Sequence, residues 1–321
     1  MKKVTTSKRK WFKIIILVVA FMVVGGGIFA YSVYQSLKKN LNEMHEPIER
    51  PVSDKREAQI EVEKQQPFSV LMLGVDQRKN DAGRSDTIIV ATVNPKEESV
   101  ELVSIPRDTR VEIIGKDAED KINHAFSFGG TETAIKTVEE FLGIPIDYVV
   151  NINMEGFKDI VDAVGGITVN NDLAFSYEGH SFKKGEITLD GKEALAFVRM
   201  RKEDPRGDFG RQLRQRQAIE GILKKVLSFS SIARYKEIFN AVGNNVKTNM
   251  TLDDMMNIQK NYREAGKEII QHEITGEGTR IDNVYYFIPD EKNVEEIRRI
   301  LKKHLDLEAG KATNAQGPSA P

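Results

Sequence analysis

The sequence predicts an α/β/α layered domain with a central mixed β-sheet, preceded by a single N-terminal transmembrane helix. Three observations carry this expectation. From Pro67 to about residue 305, short apolar runs with strand character alternate with amphipathic helical patterns. Ahead of them, Ile14 to Tyr31 is one uncharged, mostly apolar run. The composition, 40% hydrophobic and 30% charged, is that of a folded globular chain.

The elements follow in order. Residues 1–13 form a basic leader with Lys2, Lys3, Lys8, Arg9, Lys10 and Lys13 and no acid. The run 14–34 is long enough, at roughly 27 Å for its apolar part, to span a hydrocarbon core. Trp11, Tyr31 and Tyr34 stand where interfacial aromatics belong. A retained signal-anchor with the leader in the cytoplasm puts residues 35–321 outside the cell membrane, in single-pass type II topology. The competing expectation is a cleaved signal peptide cut after Ile28-Phe29-Ala30, for which the run is long and Ile28 a poor match. Residues 35–66, charged and carrying Pro47 and Pro51, read as an extracytoplasmic linker that lifts the domain off the membrane.

Residues 67–305 make the domain. Strands are predicted at Phe68–Val75, Thr87–Val93 and Ser99–Ile105, the second and third joined by the turn Asn94-Pro95-Lys96-Glu97-Glu98. A short helix or turn at Lys121–Gly130 precedes an amphipathic helix at Thr131–Leu142. A strand at Asp147–Asn153, a helix at Met154–Val164 ended by Gly165-Gly166, and a strand at Ile167–Asn170 come next. Phe175–Thr188 suggests a hairpin or lid. Helices follow at 192–200, 208–229, 231–242 and 251–265, then strands near 268–274 and 283–288, and a helix at 291–304. The tail 306–321 has the composition of a disordered segment.

Chemistry concentrates at two places. If the first three strands are antiparallel neighbours, Asp76, Gly83-Arg84-Ser85-Asp86 and Pro106-Arg107-Asp108 share one sheet edge. The second place is FVRMRKEDPRGDFGRQLRQRQ, residues 197–217, with Arg199, Arg201, Arg206, Arg211, Arg214 and Arg216. There Arg211, Arg214 and Gln215 fall at i, i+3 and i+4 of one helix. Two helices meeting at a short Pro/Gly turn can aim several guanidiniums at one phosphate or pyrophosphate, because guanidinium is always charged and donates in a rigid fork. The plainer alternative is a solvated basic surface paired with Glu203, Asp204 and Asp208. Carboxylates beside arginines suit metal-assisted phosphoryl chemistry, in which a hard cation takes one or two carboxylates plus substrate oxygens.

Other chemistries are poorly supplied. The chain has no cysteine, which removes disulfides and thiol nucleophiles, and it lacks HExxH, Walker A and GxSxG patterns. His124 lies in a dense motif but suits a structural role better than a catalytic one. Net charge is -1, and with +6 in the leader the remainder is acidic at -7, which argues against nucleic acid as a partner.

LGVDQR…GRSDTIIVATVNP, SIPRDTRVEI, KINHAF…GG, IDYVVNINMEGF, VDAVGGITVN and VRMRKEDPRGDFGRQLRQRQ, in this order over roughly residues 67–230, resemble the LytR-CpsA-Psr family. RMRKEDPRGDFGRQ is most similar to the branch that attaches teichoic acids in Gram-positive bacilli. The resemblance implies an enzyme that moves a glycopolymer from a polyprenyl-pyrophosphate carrier to peptidoglycan, forming a phosphodiester to the 6-hydroxyl of N-acetylmuramic acid. It implies Mg²⁺, with Mn²⁺ as the alternative, on Asp76 and Asp86. Arg84, Arg107, Arg199, Arg201, Arg211 and Gln215 would act on the pyrophosphate. Arg214, Gly83 and Ser85 match motif positions, Arg214 among the pyrophosphate ligands. A lipid tunnel would be lined by apolar faces of 131–142, 155–163 and 213–226. Arg206, in the exposed turn, is expected to stand apart from the site. Three rivals remain: a DNA-directed attenuator, a wall-polymer-binding module without chemistry, and a prenyl-pyrophosphate hydrolase.

Overall fold

The structure, a computed structural model, describes residues 35, 44–48, 50, 52–76, 83–116, 118–228, 238 and 241–307. In chain order these contain β1 (Phe68–Asp76), β2 (Arg84–Asn94), β3 (Ser99–Ser104), β4 (Arg110–Ile113) and β5 (Ala118–Lys121). There follow α1 (His124–Leu142), β6 (Tyr148–Ile152), α2 (Met154–Ala163), β7 (Ile167–Asn171), β8 (Phe175–Tyr177), β9 (His180–Phe182) and β10 (Gly185–Leu189). The remainder is α3 (Gly191–Arg199), α4 (Asp208–Ser228), β11 (Val246–Thr248), α5 (Leu252–Asn261), β12 (Glu268–Glu273), β13 (Gly276–Ile281), β14 (Val284–Pro289) and α6 (Glu291–His304).

Six strands form a mixed sheet in the order β11-β6-β1-β2-β3-β12. The meander β1-β2-β3 is antiparallel, as the tight turn at Asn94–Ser99 requires, whereas β6 joins β1, and β12 joins β3, in parallel. Both faces of the meander are covered, so its strands are nearly all apolar instead of alternating. On one face Leu71, Leu73, Val75, Ile88, Val90, Val103 and Ile105 pack against α1 and α6. On the other, Ile89, Ala91, Val100 and Leu102 meet Ala265 and the α4 residues Ile219 and Leu223, while Phe68 and Val70 meet Tyr262. Helices on both faces make the α/β/α layering expected from the sequence. A further apolar cluster, with Val161, Ile167, Val169, Phe175, Phe182, Leu189 and Phe197, joins α2, α3 and the small strands β7–β10.

Several elements differ from the sequence expectation for local reasons. The short helix or turn expected at 121–130 and the helix at 131–142 are both present within α1, which is interrupted between them where Gly129 and Gly130 leave helical dihedrals. The β4–β5 hairpin and strands β11 and β13 were not foreseen; they are short, and their residues are largely polar or exposed. The helix expected at 251–265 stops at Asn261 and continues as a 3-10 turn over Arg263–Lys267.

The described residues between 44 and 66 are docked along the domain and do not form a free linker. Arg56 holds Asp147 with Nε and Nη2 at 2.7 and 2.9 Å, and Ser53 Oγ donates to Glu139 at 2.6 Å. Met44 and Val62 are buried. Among the described residues no helix is long and apolar enough to cross a membrane. The apolar run 14–34, most of the helix expected at 231–242 and most of the tail lie outside the described residues; positions 238, 241 and 242 are helical.

Candidate active site

The site begins with an irregularity in the sheet. On β1, Gly74 pairs with Thr87 but the next residue, Val75, pairs with Ser85, so Asp86 is one residue too many on β2. Such a bulge re-aims a side chain and increases local twist. Gly74 makes it possible, because a Cβ there would lie 2.9 Å from the Thr87 Cβ. Past the bulge Asp76 pairs with Arg84, so both sit on the rim as the meander predicts. Gly83, at φ +75°, enters β2 through the left-handed region that glycine tolerates.

Across the rim, the turn after β3 brings in Arg107. Its Nη1 donates to Asp86 Oδ1 at 2.8 Å, and its Nε lies 3.7 Å from Asp108 Oδ2. Burial alone would lower the Arg107 guanidinium, but Asp86, with Asp208 and Asp108 behind it, outweighs burial and raises it. The three strand ends therefore converge as sequence order implied.

The arginine-rich stretch divides. Arg211 is largely buried, and its Nη2 lies 2.7 Å from Asp208 Oδ1; Arg201 Nε reaches the same oxygen at 3.6 Å. Asp208, in the first turn of α4, is thus the carboxylate that gathers two guanidiniums, a role the sequence offered only as an ordinary salt bridge. The Arg211 guanidinium is lowered first by burial and then by repulsion from Arg107 and Arg201, with Asp208 and Asp86 opposing. Those couplings put Arg107, Arg201, Arg211, Asp86 and Asp208 in one electrostatic cluster. Nε of Arg107 and of Arg211 are both buried and have no hydrogen-bond acceptor among the described residues. Buried donors of this kind call for a polar ligand. Arg199 sits at the edge, half-exposed, 3.1 Å from Glu178 in the β8–β9 turn.

Arg214 is a correction. It is 1% exposed and turned away from the rim into the core between α3 and α4. Its Nε donates to the Phe197 carbonyl at 3.1 Å, Nη2 to the Met200 carbonyl at 2.6 Å and Nη1 to Asp204 Oδ2 at 2.6 Å, with the ring of Phe175 5.4 Å from its guanidinium carbon. Asp204 fits against α4 only because residue 210 is glycine; a Cβ there would be 1.9 Å from its carboxylate. Arg206 stands apart from the cluster, as expected, yet it is not idle: it holds Asp204 and forks onto Asp172. The one-face reading of the helix holds for Arg211 and Gln215, which both line the cavity behind the cluster, and fails for Arg214, which lies about 100° around the axis from Gln215 and faces α3.

Behind the cluster a cavity of about 300 Å³ runs between the sheet and α2, α3 and α4. Asp86, Arg199, Arg211 and Gln215 line its polar part, and Met72, Ile89, Ile152, Phe157, Val198 and Ile219 much of the rest. The faces expected at 155–163 and 213–226 contribute. The face of 131–142 does not: it packs in the core on the opposite side of the sheet. Leu195 and Val198 of α3 take that share of the wall, unforeseen because their spacing is that of any buried helix. His124 pairs with Asp120 at 3.0 Å, away from the cavity.

Among the described residues no three or more His, Asp or Glu side chains gather as a metal cage. Asp86, one-third exposed with one oxygen on Arg107, fits instead a hard cation that takes one or two carboxylates and fills its shell with phosphate oxygens and water. Asp76 stands on the same rim by its backbone pairing.

Fold and site together define a polyanion-handling α/β domain with an apolar cavity behind an arginine–aspartate rim. The chain belongs to the LytR_cpsA_psr family, whose model matches residues 31–303. It is 50% identical over 300 residues to the polyisoprenyl-teichoic acid–peptidoglycan teichoic acid transferase TagU of Bacillus licheniformis, covering 94% of this chain and 97% of that one. The crystal structure of Bacillus subtilis TagU is 51% identical, with a TM-score of 0.61 over 80% of this chain and 100% of that chain. TagT bound to LIIa-WTA gives a TM-score of 0.70 at 33% identity, covering 82% and 100% respectively.

Proposed function

We propose that this chain is a transferase that takes a teichoic-acid-type glycopolymer from a polyprenyl-pyrophosphate carrier and joins it to peptidoglycan through a phosphodiester on N-acetylmuramic acid. The observation that carries this is the junction of two environments: an apolar cavity suited to a prenyl chain ends at Asp86, Arg199, Arg211 and Gln215, with Arg107 paired to Asp86 beside them. The names of the TagU relatives support the same substrate and acceptor.

In this reading the sugar hydroxyl oxygen bonds to the glycopolymer-side phosphorus. The bridging P–O bond breaks, and polyprenyl monophosphate leaves with the negative charge while the hydroxyl proton is released. Arg107 and Arg211 supply guanidinium donors, including their two unsatisfied Nε groups, to the oxygens on which charge develops. Asp208 fixes Arg211 and steers Arg201. Arg199 and Arg84 complete the rim, and Gln215 offers an amide at the cavity end. Asp86 and Asp76 would hold Mg²⁺, or Mn²⁺ in its place, which would supply positive charge against the pyrophosphate. The chain works outside the cell membrane, held there by the segment 14–34.

The test is to incubate the full chain in detergent with a labelled prenyl-pyrophosphoryl disaccharide, uncrosslinked peptidoglycan and Mg²⁺. Label is expected on the glycan strands; label recovered only as soluble phosphosugar would replace transfer by hydrolysis. Asp86→Ala should lose most transfer and retain its fold, and chelation should silence the wild type until Mg²⁺ returns. Full activity in chelator would remove the cation. Protease added to intact protoplasts should remove the domain; protection would overturn the topology.

A further inference from the structure

The β13–β14 hairpin borders the site on the side away from the cavity. The Phe287 amide donates to the Asp108 carbonyl at 2.9 Å, Thr109 bridges to Phe287, and the Phe287 ring packs 5.8 Å from that of Phe209 in α4. Arg107 therefore stands between Asp86, which faces the cavity, and Asp108, which adjoins the hairpin. Although close to the site, the hairpin keeps large apolar side chains in solvent: Val284 and Tyr285 are each 43% exposed and Ile288 38%.

The phenol end of Tyr285 packs over Gly278 on the facing strand, where a Cβ would meet the Tyr285 hydroxyl at 2.6 Å and two ring carbons at 2.8 and 3.0 Å. Bare backbone thus seats that end of the ring while the side chain remains open to solvent. Lys121 Nζ lies 6.0 Å from the Tyr285 ring centre and 5.9 Å from that of Tyr286, and the guanidinium carbon of Arg110 lies 6.0 Å from Tyr286. These cations are already matched to carboxylates. Lys121 pairs with Asp108 at 2.8 Å, Arg110 with Glu119 at 2.6 Å, and nearby Lys116 with Asp120 at 2.8 Å. The hairpin's own charges are Glu277, Arg280 and Asp282. The surface offers aromatic rings without net positive charge. A polyphosphate chain gains nothing there, whereas the C–H face of an uncharged pyranose lies well on an electron-rich ring.

We propose that the β13–β14 hairpin, with Tyr285 as its central ring, binds the acceptor glycan strand by stacking on its N-acetyl sugars and so delivers the hydroxyl to the Arg107 side of the pyrophosphate. This rests on the transferase function proposed above. It assigns the two substrates to opposite flanks of Arg107: prenyl carrier in the cavity, acceptor sugar on the hairpin.

The experiment measures direct binding of soluble, uncrosslinked N-acetylglucosamine–N-acetylmuramic acid strands to the full chain in detergent, without donor. The same preparations are then assayed for transfer. Tyr285→Ala should weaken strand binding about tenfold, the size of effect that loss of a contacting aromatic ring produces. It should raise the KM for acceptor while leaving the KM for donor unchanged. Gly278→Ala, which pushes the ring off its seat, should act in the same direction, and Tyr285→Trp should retain binding. Equal strand binding by wild type and Tyr285→Ala overturns the proposal, as does a change in donor KM instead of acceptor KM. Wild-type protein that binds no strand also overturns it, whatever its transfer activity. Strand binding without transfer leaves the hairpin assignment standing and overturns the transferase function.

Discussion

Arg107 and Arg214 carry the same group and occupy opposite situations, which makes them separable by substitution. Arg107 lies at the rim beside the Asp86 carboxylate, so Arg107→Lys keeps charge but loses the fork. The loss of one charge-assisted contact, about 2–3 kcal/mol, should lower turnover by about 30- to 150-fold with little change in melting temperature. Equal turnover would remove Arg107 from the chemistry. Arg214 is buried, and its removal leaves the Phe197 and Met200 carbonyls without their donor and Asp204 on Arg206 alone; Arg214→Ala should cost about 3–5 kcal/mol of stability. The linked carboxyl gives a pH signature. Hydrogen bonds from Arg206 first, then from Arg214, hold Asp204 well below the usual carboxylate range, against burial. A depressed folded pKa means stability present above the unfolded value, near about 4, and lost as pH falls toward the folded one. The difference in urea midpoint between wild type and Asp204→Asn should therefore be large at neutral pH and shrink below about pH 4. A constant gap across that range would show that packing, not charge, holds the turn.

At the scale of elements, how much was legible depends on whether the signal was local. The strands β1, β2 and β3 announce themselves as apolar runs, and their antiparallel order alone placed Asp86 beside Arg107. The bulge that singles out Asp86 was not legible, since it depends on register between two strands. The inward turn of Arg214 was hidden for a similar reason: helix periodicity gives a face, but the packing of α3 decides which face is core. Gly191, just ahead of the helix expected at 192–200, and Gly210, inside the one expected at 208–229, carried no signal of the close approaches that both make. At Gly191, where α3 starts against α2, a Cβ would be 2.4 Å from the Lys158 carbonyl. Gly191→Ala should wedge the two helices apart, cost about 1–3 kcal/mol and loosen the cavity wall formed by Phe157, Leu195 and Val198. The check is thermal melting together with prenyl-pyrophosphate affinity; unchanged values in both would mean that the helices separate freely.

For the molecule as a whole, the segment 44–66 matters most, because charge and proline content made it look like a spacer when it is part of the fold. Arg56 and Asp147 are both largely buried, so Arg56→Ala should cost about 3 kcal/mol and expose this stretch to protease before the sheet unfolds. Simultaneous loss of both in one transition would show a single cooperative unit with no detachable strap. The docked segment also sets a length scale. Between the proposed anchor and Met44 only the 9 residues 35–43 remain, with a reach of about 30 Å at most, against about 110 Å had all of 35–66 been free. With that anchor in place, the rim would sweep only a thin layer over the bilayer. Donors embedded in the leaflet would arrive by lateral diffusion at high effective concentration, and only wall strands that dip into that layer would come within range.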